Sequence, residues 1–319
     1  MVVNRNPEYF LTIVQERSIS RAAEKLYISQ SSLSQYISKL ERALDVKLLD
    51  RSKNPLQVTE AGRIYKNYLE SNNFLYHKLQ SELTSNRMQT VNVGTGTWRG
   101  AILLPEILPD FIQQHPKTHI ILSEFPISEL STLVNNSTVD FAIMNTSPGA
   151  AAGDDLIREI ITYERILLVM HRENPIAKRF SQQQEAGETL HLSELQQERF
   201  ISLNRNLTVG QYLDNFLVRN QLTFSERLYT TNNTTVLNLV AKNLGFCFMV
   251  ETGLKDADSR PELITFGLQA KDLMIPLSFL YKKNSYLSPL VQDAMDLVRN
   301  YYLDLIEKNQ SRIPFTPFQ

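Results

Sequence analysis

Cysteine is nearly absent. The single Cys247 among 319 residues excludes an intramolecular disulfide, and with it a redox switch built on two thiols of one chain. It lies in the apolar run Gly245-Phe246-Cys247-Phe248-Met249-Val250, which predicts a buried structural thiol. Histidine is scarce and scattered. None of His77, His115, His119, His171 and His191 stands at zinc-helix spacing from another, so no metal site is expected. The glycines form no phosphate cradle, because Gly94-Thr95-Gly96 lacks a third glycine and a downstream acid. No Gly-x-Ser-x-Gly turn occurs either. With no nucleophile, base or cofactor site to nominate, the expectation is a chain that is not an enzyme and carries no cofactor. The segment from Met1 to Pro7 is polar, unlike a signal peptide. No run reaches the roughly 18 apolar residues of a membrane span, so a cytoplasmic chain is expected. Excess charge is missing too. A net charge of −1 rules out a uniformly basic coat but not a local basic site, since counterion release depends on local charge.

What is present suits two or three folding units with ordinary cores: 42% hydrophobic and 21% charged residues. The first 59 residues carry nine basic against six acidic side chains, a modest local excess. Asn6-Pro7-Glu8 reads as the start of a first helix, with Asn6 as its cap and Phe10, Ile13 and Val14 on one apolar face. Ser20 is the expected cap of a short second helix over 21–26, where Ala22 and Ala23 permit close approach. After a tight turn at Tyr27-Ile28, Ser29 caps a third helix over 30–44, with Leu33, Ile37, Leu40 and Leu44 inward.

The outward face of that third helix is informative. Gln30, Ser31, Ser32, Ser34, Gln35, Ser38 and Lys39 give it two uncharged turns of hydroxyl and amide groups. Such groups reach base edges without repulsion or a large desolvation cost. Short helix, turn and longer outward helix is the helix-turn-helix arrangement. The bland alternative is a solvated Ser/Gln-rich helix. A strand over 46–49, the basic turn Arg51-Ser52-Lys53-Asn54-Pro55 and a second strand over 56–58 then suggest a wing beside the groove.

The stretch 18–37 (SISRAAEKLYISQSSLSQYI), Leu40-Glu41, Leu44, Leu48-Leu49-Asp50-Arg51 and Leu56 through Gly62 together resemble the LysR-type DNA-binding domain. Two positions depart from it: Asp45 stands where glycine is usual, and Leu49 where phenylalanine is usual. The resemblance implies base-reading positions at Gln30, Ser31, Ser34 and Gln35. It also implies backbone-positioning roles for Ser29, Ser32, Lys39, Arg51 and Lys53.

Thr59 caps a long helix expected to continue to about residue 86. Leu69, Tyr76 and Leu83 recur every seven residues, beside Ile64, Tyr68, Leu75 and Leu79. So wide an apolar face needs a partner. It either packs on its own chain or, as the resemblance implies, pairs with the same helix of a second subunit in a homodimer or homotetramer.

From Thr90 the pattern changes to alternating strands and helices, an α/β signature. It resembles the LysR effector domain, akin to a type 2 periplasmic-binding-protein fold, with Leu104-Pro105, Phe111, Pro116, Asp140-Phe141-Ala142-Ile143 and Leu244-Gly245-Phe246 as anchors. The implied organisation is a winged helix-turn-helix over 1–59, a linker helix over 60–88, an effector-binding domain over 89–308 and a tail over 309–319. Within the effector domain, subdomain I covers about 90–161 plus 270–305 and subdomain II about 162–268. Ligands of such folds sit at the C-terminal ends of strands, beside helix N-termini. The candidates are therefore Thr95, Gly96, Thr97 and Trp98; Pro126, Ile127 and Ser128; Asn145 and Thr146; Ser202, Leu203, Asn204 and Arg205; and Phe246 with Cys247. With Arg99 or Arg205 close by, a small carboxylate or other anion would suit them. Thr95 and Thr97 could equally only cap a helix, Trp98 could be core, and Arg205 a surface charge.

Three accounts remain open at this point. The leading one is an effector-responsive regulator of transcription on double-stranded DNA. The second is a solute-binding or catalytic α/β protein whose N-terminal helices serve protein contacts. The third is a DNA-binding protein whose C-terminal module only assembles oligomers.

Overall fold

The computed structural model describes residues 6–53, 55–83, 89–146, 155–204 and 208–319. Arg205, Asn54 and the expected end of the linker helix at 84–88 lie outside the described residues. The chain divides into two compact units, the first formed by Met1–Ser85 and the second by almost all of the remainder.

The first unit contains α1 (Pro7–Glu16), α2 (Ile19–Lys25), α3 (Gln30–Leu44), β1 (Leu49–Asp50), β2 (Gln57–Val58) and α4 (Glu60–Leu83). Its core joins Phe10 and Ile13 of α1, Ala22 and Ala23 of α2, and Leu33, Ile37 and Leu40 of α3 to Tyr65 and Leu69 of α4. Two caps differ from expectation. Asn6 is left-handed (φ 63°) with no side-chain cap bond, so only its carbonyl serves the helix, accepting from Tyr9 N at 3.1 Å. The cap of α2 is Ser18, extended and accepting from Arg21 N, while Ser20 lies inside the helix. Asp45 ends α3 in a left-handed conformation (φ 53°). That accounts for the suitability of glycine there, and Asp is among the few other residues that tolerate it.

The wing is shorter than the sequence suggests, pairing only Leu49 with Val58 and Asp50 with Gln57. Val46 and Lys47 have no strand partner and are exposed. Gly62 fixes how α4 meets this wing: a Cβ there would stand 2.1 Å from the Leu48 carbonyl oxygen. Thr59 caps α4, its Oγ1 accepting from Gly62 N at 3.0 Å and donating to Lys47 O at 2.6 Å.

The second unit runs β3 (Gln89–Thr95), α5 (Thr97–Gln114), β4 (Thr118–Glu124), α6 (Ile127–Asn135), β5 (Phe141–Asn145), β6 (Leu156–His171), α7 (Pro175–Glu185), β7 (Arg199–Leu203) and α8 (Thr208–Arg219). It continues with β8 (Glu226–Thr230), α9 (Asn233–Ala241), β9 (Cys247–Val250), α10 (Leu254–Asp258), β10 (Leu263–Leu268), β11 (Met274–Lys282), α11 (Pro289–Arg312) and β12 (Phe315–Thr316). The long strand β6 organises it. Residues Leu156 to Arg165 pair antiparallel with β11, which continues through β5 and β3 to the edge strand β4. From Ile166 onward β6 leaves that partner and runs between β9 and β10. The first crossover between the halves is therefore a single continuous strand. The second is the short segment from β10 to β11, residues 269–273.

Each half has its own core. Phe141, Phe279, Leu103 and Tyr302 belong to the first, and Phe200, Phe216, Phe224, Phe246 and Phe248 to the second. α7, β8, α10, β10 and β12 were not anticipated from the sequence. The segment expected to be a tail is built in. α11 extends to Arg312, and β12 adds to β10 in parallel beyond it. Leu190 N then donates to Pro317 O and Gln319 N to Leu190 O, at 2.9 and 2.8 Å, on either side of Phe318, which meets Phe216 at 5.5 Å between ring centroids. Among the described residues, no helix is long and apolar enough to cross a membrane.

Candidate functional site

The first unit offers one polar surface of unusual composition, the outward face of α3. Ser29 sets its start in an extended conformation, with its Oγ accepting from Ser32 N at 3.1 Å and lying 2.7 Å from Ser32 Oγ and 3.0 Å from Ser31 Oγ. Because Leu33, Ile37 and Leu40 face the core, Gln30, Ser31, Ser32, Gln35 and Lys39 are exposed by helical geometry, with Ser34 half-buried. The side chains of Gln30, Gln35 and Lys39 have no hydrogen-bond partner among the described residues. These three side chains present their polar groups to solvent.

Glu41 determines where the wing stands relative to α3. It is buried, and its Oε1 accepts from Leu48 N (2.9 Å) and Leu49 N (3.3 Å). Its Oε2 lies 3.1 Å from Lys47 Nζ and 3.6 Å from Arg51. This carboxylate satisfies the backbone N–H groups of residues 48 and 49, and it holds Arg51 close. A signal was available: an acid at 41 continues the 33–37 apolar row of the helix. At the wing tip, Asp50 accepts from Ser52 N and Oγ at 3.0 and 2.6 Å. Those bonds, with Lys53 nearby, hold its carboxyl below the ordinary range. Arg51 and Lys53 are exposed there.

The second unit contains a cleft of about 470 Å3 between its halves. From the first half come Gly96, Thr97 and Trp98 at the start of α5, Phe125, Pro126 and Ile127 at the start of α6, and Ile143, Met144 and Asn145 at the end of β5. From the second come Leu203, Val209, Thr231, Asn233 and Val250. The polar members Thr231 and Asn233 were not nominated from the sequence, although the run Thr230-Thr231-Asn232-Asn233-Thr234-Thr235 marks a helix start. Asn232 indeed caps α9, accepting from Thr235 N at 3.1 Å.

The remaining nominated positions lie elsewhere. Thr95 is fully buried and donates to Ile143 O at 3.1 Å, tying β3 to β5. Thr146 is buried against Ser278, and Ser202 is buried beside the lining residue Leu203. Ser128 and Asn204 are exposed but do not line the cavity. Phe246 and Cys247 sit in the aromatic core, because β9 is covered on both faces. Burial pushes the Cys247 thiol well above its usual range.

Arg99 lines the cleft but is only 7% exposed. Its guanidinium reaches Glu164 Oε2 (2.8 Å), Asn145 Oδ1 (2.6 Å), Thr252 Oγ1 (2.9 Å) and Tyr302 OH (2.8 Å). Asn145 Nδ2 and Thr252 N also donate to Glu164, at 2.8 and 3.2 Å. Burial alone would push Glu164 up, but Arg99 and these hydrogen bonds outweigh it and hold the carboxyl below its ordinary value. The charge expected to attract an anion is therefore already neutralised inside the protein. A second buried pair adjoins the first on β6, where Arg165 Nε bonds Glu251 Oε1 at 3.0 Å and its guanidinium also reaches Ile313 O. Helix starts also border the cleft. The first turns of α5, α6 and α9 contribute lining residues to it, and helix N-termini as a class favour negative charge. Trp98 closes one side, its Nε1 donating to Asp256 Oδ2 at 3.1 Å. Gly253 leaves room for this indole, which a Cβ would meet at 2.2 Å. No group of His, Cys, Asp and Glu among the described residues is arranged to hold a metal.

Comparison with known proteins gives two family matches. Residues 5–63 match a model described as "Bacterial regulatory helix-turn-helix protein, lysR family", and residues 85–302 one described as "LysR substrate binding domain". The chain is 29% identical to a "Probable RuBisCO transcriptional regulator" of Trichormus variabilis, over 74% of this chain and 70% of that one. It is 27% identical to the "HTH-type transcriptional regulator YtlI" of Bacillus subtilis, over 81% of this chain and 79% of the other. Among solved structures, full-length CbnR in complex with its target DNA superposes with a TM-score of 0.64 at 18% identity, covering 92% of this chain and 98% of that one. A full-length OxyR variant from Pseudomonas aeruginosa gives 0.65 at 17% identity, covering 92% of each. At these identities the structural likeness speaks for the fold.

Proposed function

The chain belongs to the LysR family of transcription regulators, with a DNA-binding helix-turn-helix and an effector-binding domain, and from that premise we propose which residues carry each activity. Gln30, Ser31, Ser34 and Gln35 read base edges in a major groove, a glutamine being able to bond adenine in bidentate fashion. Ser29, Ser32, Lys39, Arg51 and Lys53 bind phosphates and fix the protein's register on the duplex. The observation that carries this reading is the α3 face itself: exposed Gln30, Gln35 and Lys39 side chains with no hydrogen-bond partner among the described residues, next to a serine cluster at the helix start and beside a basic wing held in place by Glu41. A gel shift of the full chain on the promoter fragment upstream of its own gene tests it. Retention there against excess unrelated duplex is expected, and equal competition by both would refute it.

The functional form is a homodimer joined through α4, and by extension a tetramer. Ile64, Tyr68, Tyr76 and Leu79 are 48–64% exposed along that helix, a stripe of the kind that pairs with its own copy. Two open sheet edges in the second unit, β4 with Ile121 and β8 with Tyr229, supply further apolar surface. Two recognition helices about 34 Å apart then read a two-part operator. Sedimentation of the Tyr68→Glu/Leu79→Glu variant is expected to show dissociation of the α4-mediated dimer, with operator affinity lower by about tenfold or more. An unchanged sedimentation coefficient would remove α4 from the interface.

The effector is a small molecule with an apolar body and one anionic group. Trp98, Phe125, Ile127, Ile143, Leu203 and Val250 accommodate the body, while the N-termini of α5, α6 and α9 accept the charge. Calorimetry with aliphatic and aromatic monocarboxylates, each paired with its amide, checks this. The acids are expected to bind about tenfold more tightly than their amides. Amides that bind equally well would exclude an anionic effector. Closure of the two halves on the ligand would shift the population of DNA-bound arrangements, which is how binding would reach the promoter.

A further inference from the structure

The turn that leads into α3 holds a residue neither the fold nor the proposed contacts require. Tyr27 is 96% exposed. It also sits in the left-handed region, with φ 56°, which a glycine would occupy without strain and a tyrosine does not favour. Backbone bonds close the turn, with Tyr27 N on Glu24 O at 3.1 Å and Ile28 N on Ala23 O at 3.0 Å. The Tyr27 side chain contributes to neither. It has no hydrogen-bond or ring partner among the described residues. A large amphipathic ring is therefore held in water, at a conformational cost, with no return to folding. A strained, solvent-directed residue of this kind points to a contact outside the chain.

Its position says which contact. In a helix-turn-helix the first helix crosses the DNA backbone and the N-terminal residues of the second meet base edges. The turn between α2 and α3 consequently lies where the protein surface passes from phosphates to bases. Tyr27 precedes Gln30 by three residues, which places their Cα atoms within about 11 Å of one another. We propose that Tyr27 is a DNA-backbone contact: its phenol hydroxyl donates to a phosphate at the edge of the groove, its ring packs on the adjoining sugar, and together they set the register in which α3 enters. This rests on α3 being the base-reading helix.

The test uses the full-length protein and fluorescence anisotropy on two duplexes, its own upstream promoter and an unrelated sequence, at several salt concentrations. Tyr27→Phe is expected to weaken binding about tenfold on both duplexes, since a phosphate contact carries no sequence information. The slope of log affinity against log salt is expected to stay unchanged, because a neutral hydroxyl displaces no counterion. Tyr27→Gly is expected to bind more weakly still, yet to melt no lower than the parent because it relieves the left-handed strain. A Tyr27→Phe protein that binds both duplexes within twofold of the parent would overturn the proposal, as would a loss confined to the promoter, which would mean base contact. Gln30→Ala runs in the same assay. It is expected to lose affinity for the promoter alone, and no loss there would overturn the reading of α3 instead of the role of Tyr27.

Discussion

Replacing Glu164 by glutamine is expected to destabilise the C-terminal unit by roughly 3–5 kcal/mol, because it leaves the Arg99 charge buried without its counter-charge. Arg99 is 7% exposed and Glu164 not at all, so neither side chain can turn to water without opening the cleft wall. For a unit of this size, a loss of that magnitude lowers the melting temperature by about 10–15 °C. The double variant Arg99→Met/Glu164→Leu is expected to recover most of it, since a buried ion pair replaced by apolar groups of similar volume is often neutral or better. The pH dependence gives a second check. Glu164 has a folded pKa held below the ordinary glutamate value of 4.5, so its stabilisation is complete above about pH 4.5 and is lost as pH falls through the depressed folded value. The gap in melting temperature between parent and Glu164→Gln is therefore expected to be widest near neutrality and to narrow as the solution is acidified below that point. Near-ultraviolet circular dichroism melts across that range measure it. A variant that melts within two or three degrees of the parent at neutral pH would show that the pair is not buried as described.

The pair also explains why the anion-binding expectation needed revision. A lone arginine beside a strand end reads, in sequence, as a free charge. Its neutraliser stands 65 residues away on β6, and nothing local in either segment announces the meeting. What remains for a ligand is backbone polarity at helix starts, which depends on how the helices are aimed and leaves little trace in composition.

Legibility differed between the two units for physical reasons. In the first, short-range rules dominate: Ser29 caps α3, the four-three-four spacing of Leu33, Ile37, Leu40 and Leu44 fixes its inner face, and the polar face follows by exclusion. The expected cap of α2 is Ser20, but Ser18 caps it, its extended backbone placing the hydroxyl where it accepts from Arg21 N. In the second unit, most strands were visible as apolar runs. β8, with the mixed sequence Glu226–Thr230, and the two-residue β12 were not, because their pairing partners supply the stability. The cleft positions were half legible. Consecutive residues at a strand end alternate between faces, so Leu203 lines the cavity while its neighbour Ser202 is buried away from it. Phe246 and Cys247 were drawn inward by aromatic packing with Phe200 and Phe248.

The account depends above all on the exposed side chains of α3 making sequence-dependent contacts, and the Gln30→Ala/Gln35→Ala variant measures this most directly. Each glutamine that bonds a base edge in bidentate fashion contributes about 1–3 kcal/mol of discrimination. The double variant is therefore expected to lose roughly a hundredfold or more in affinity for the operator. Its affinity for unrelated duplex is expected to hold, because the proposed phosphate contacts of Lys39, Arg51 and Lys53 are left in place. Titration of both duplexes with a correctly assembled protein, at one salt concentration, gives the ratio. Collapse of operator preference with general affinity intact is the predicted result; an operator preference equal to that of the parent would contradict the account.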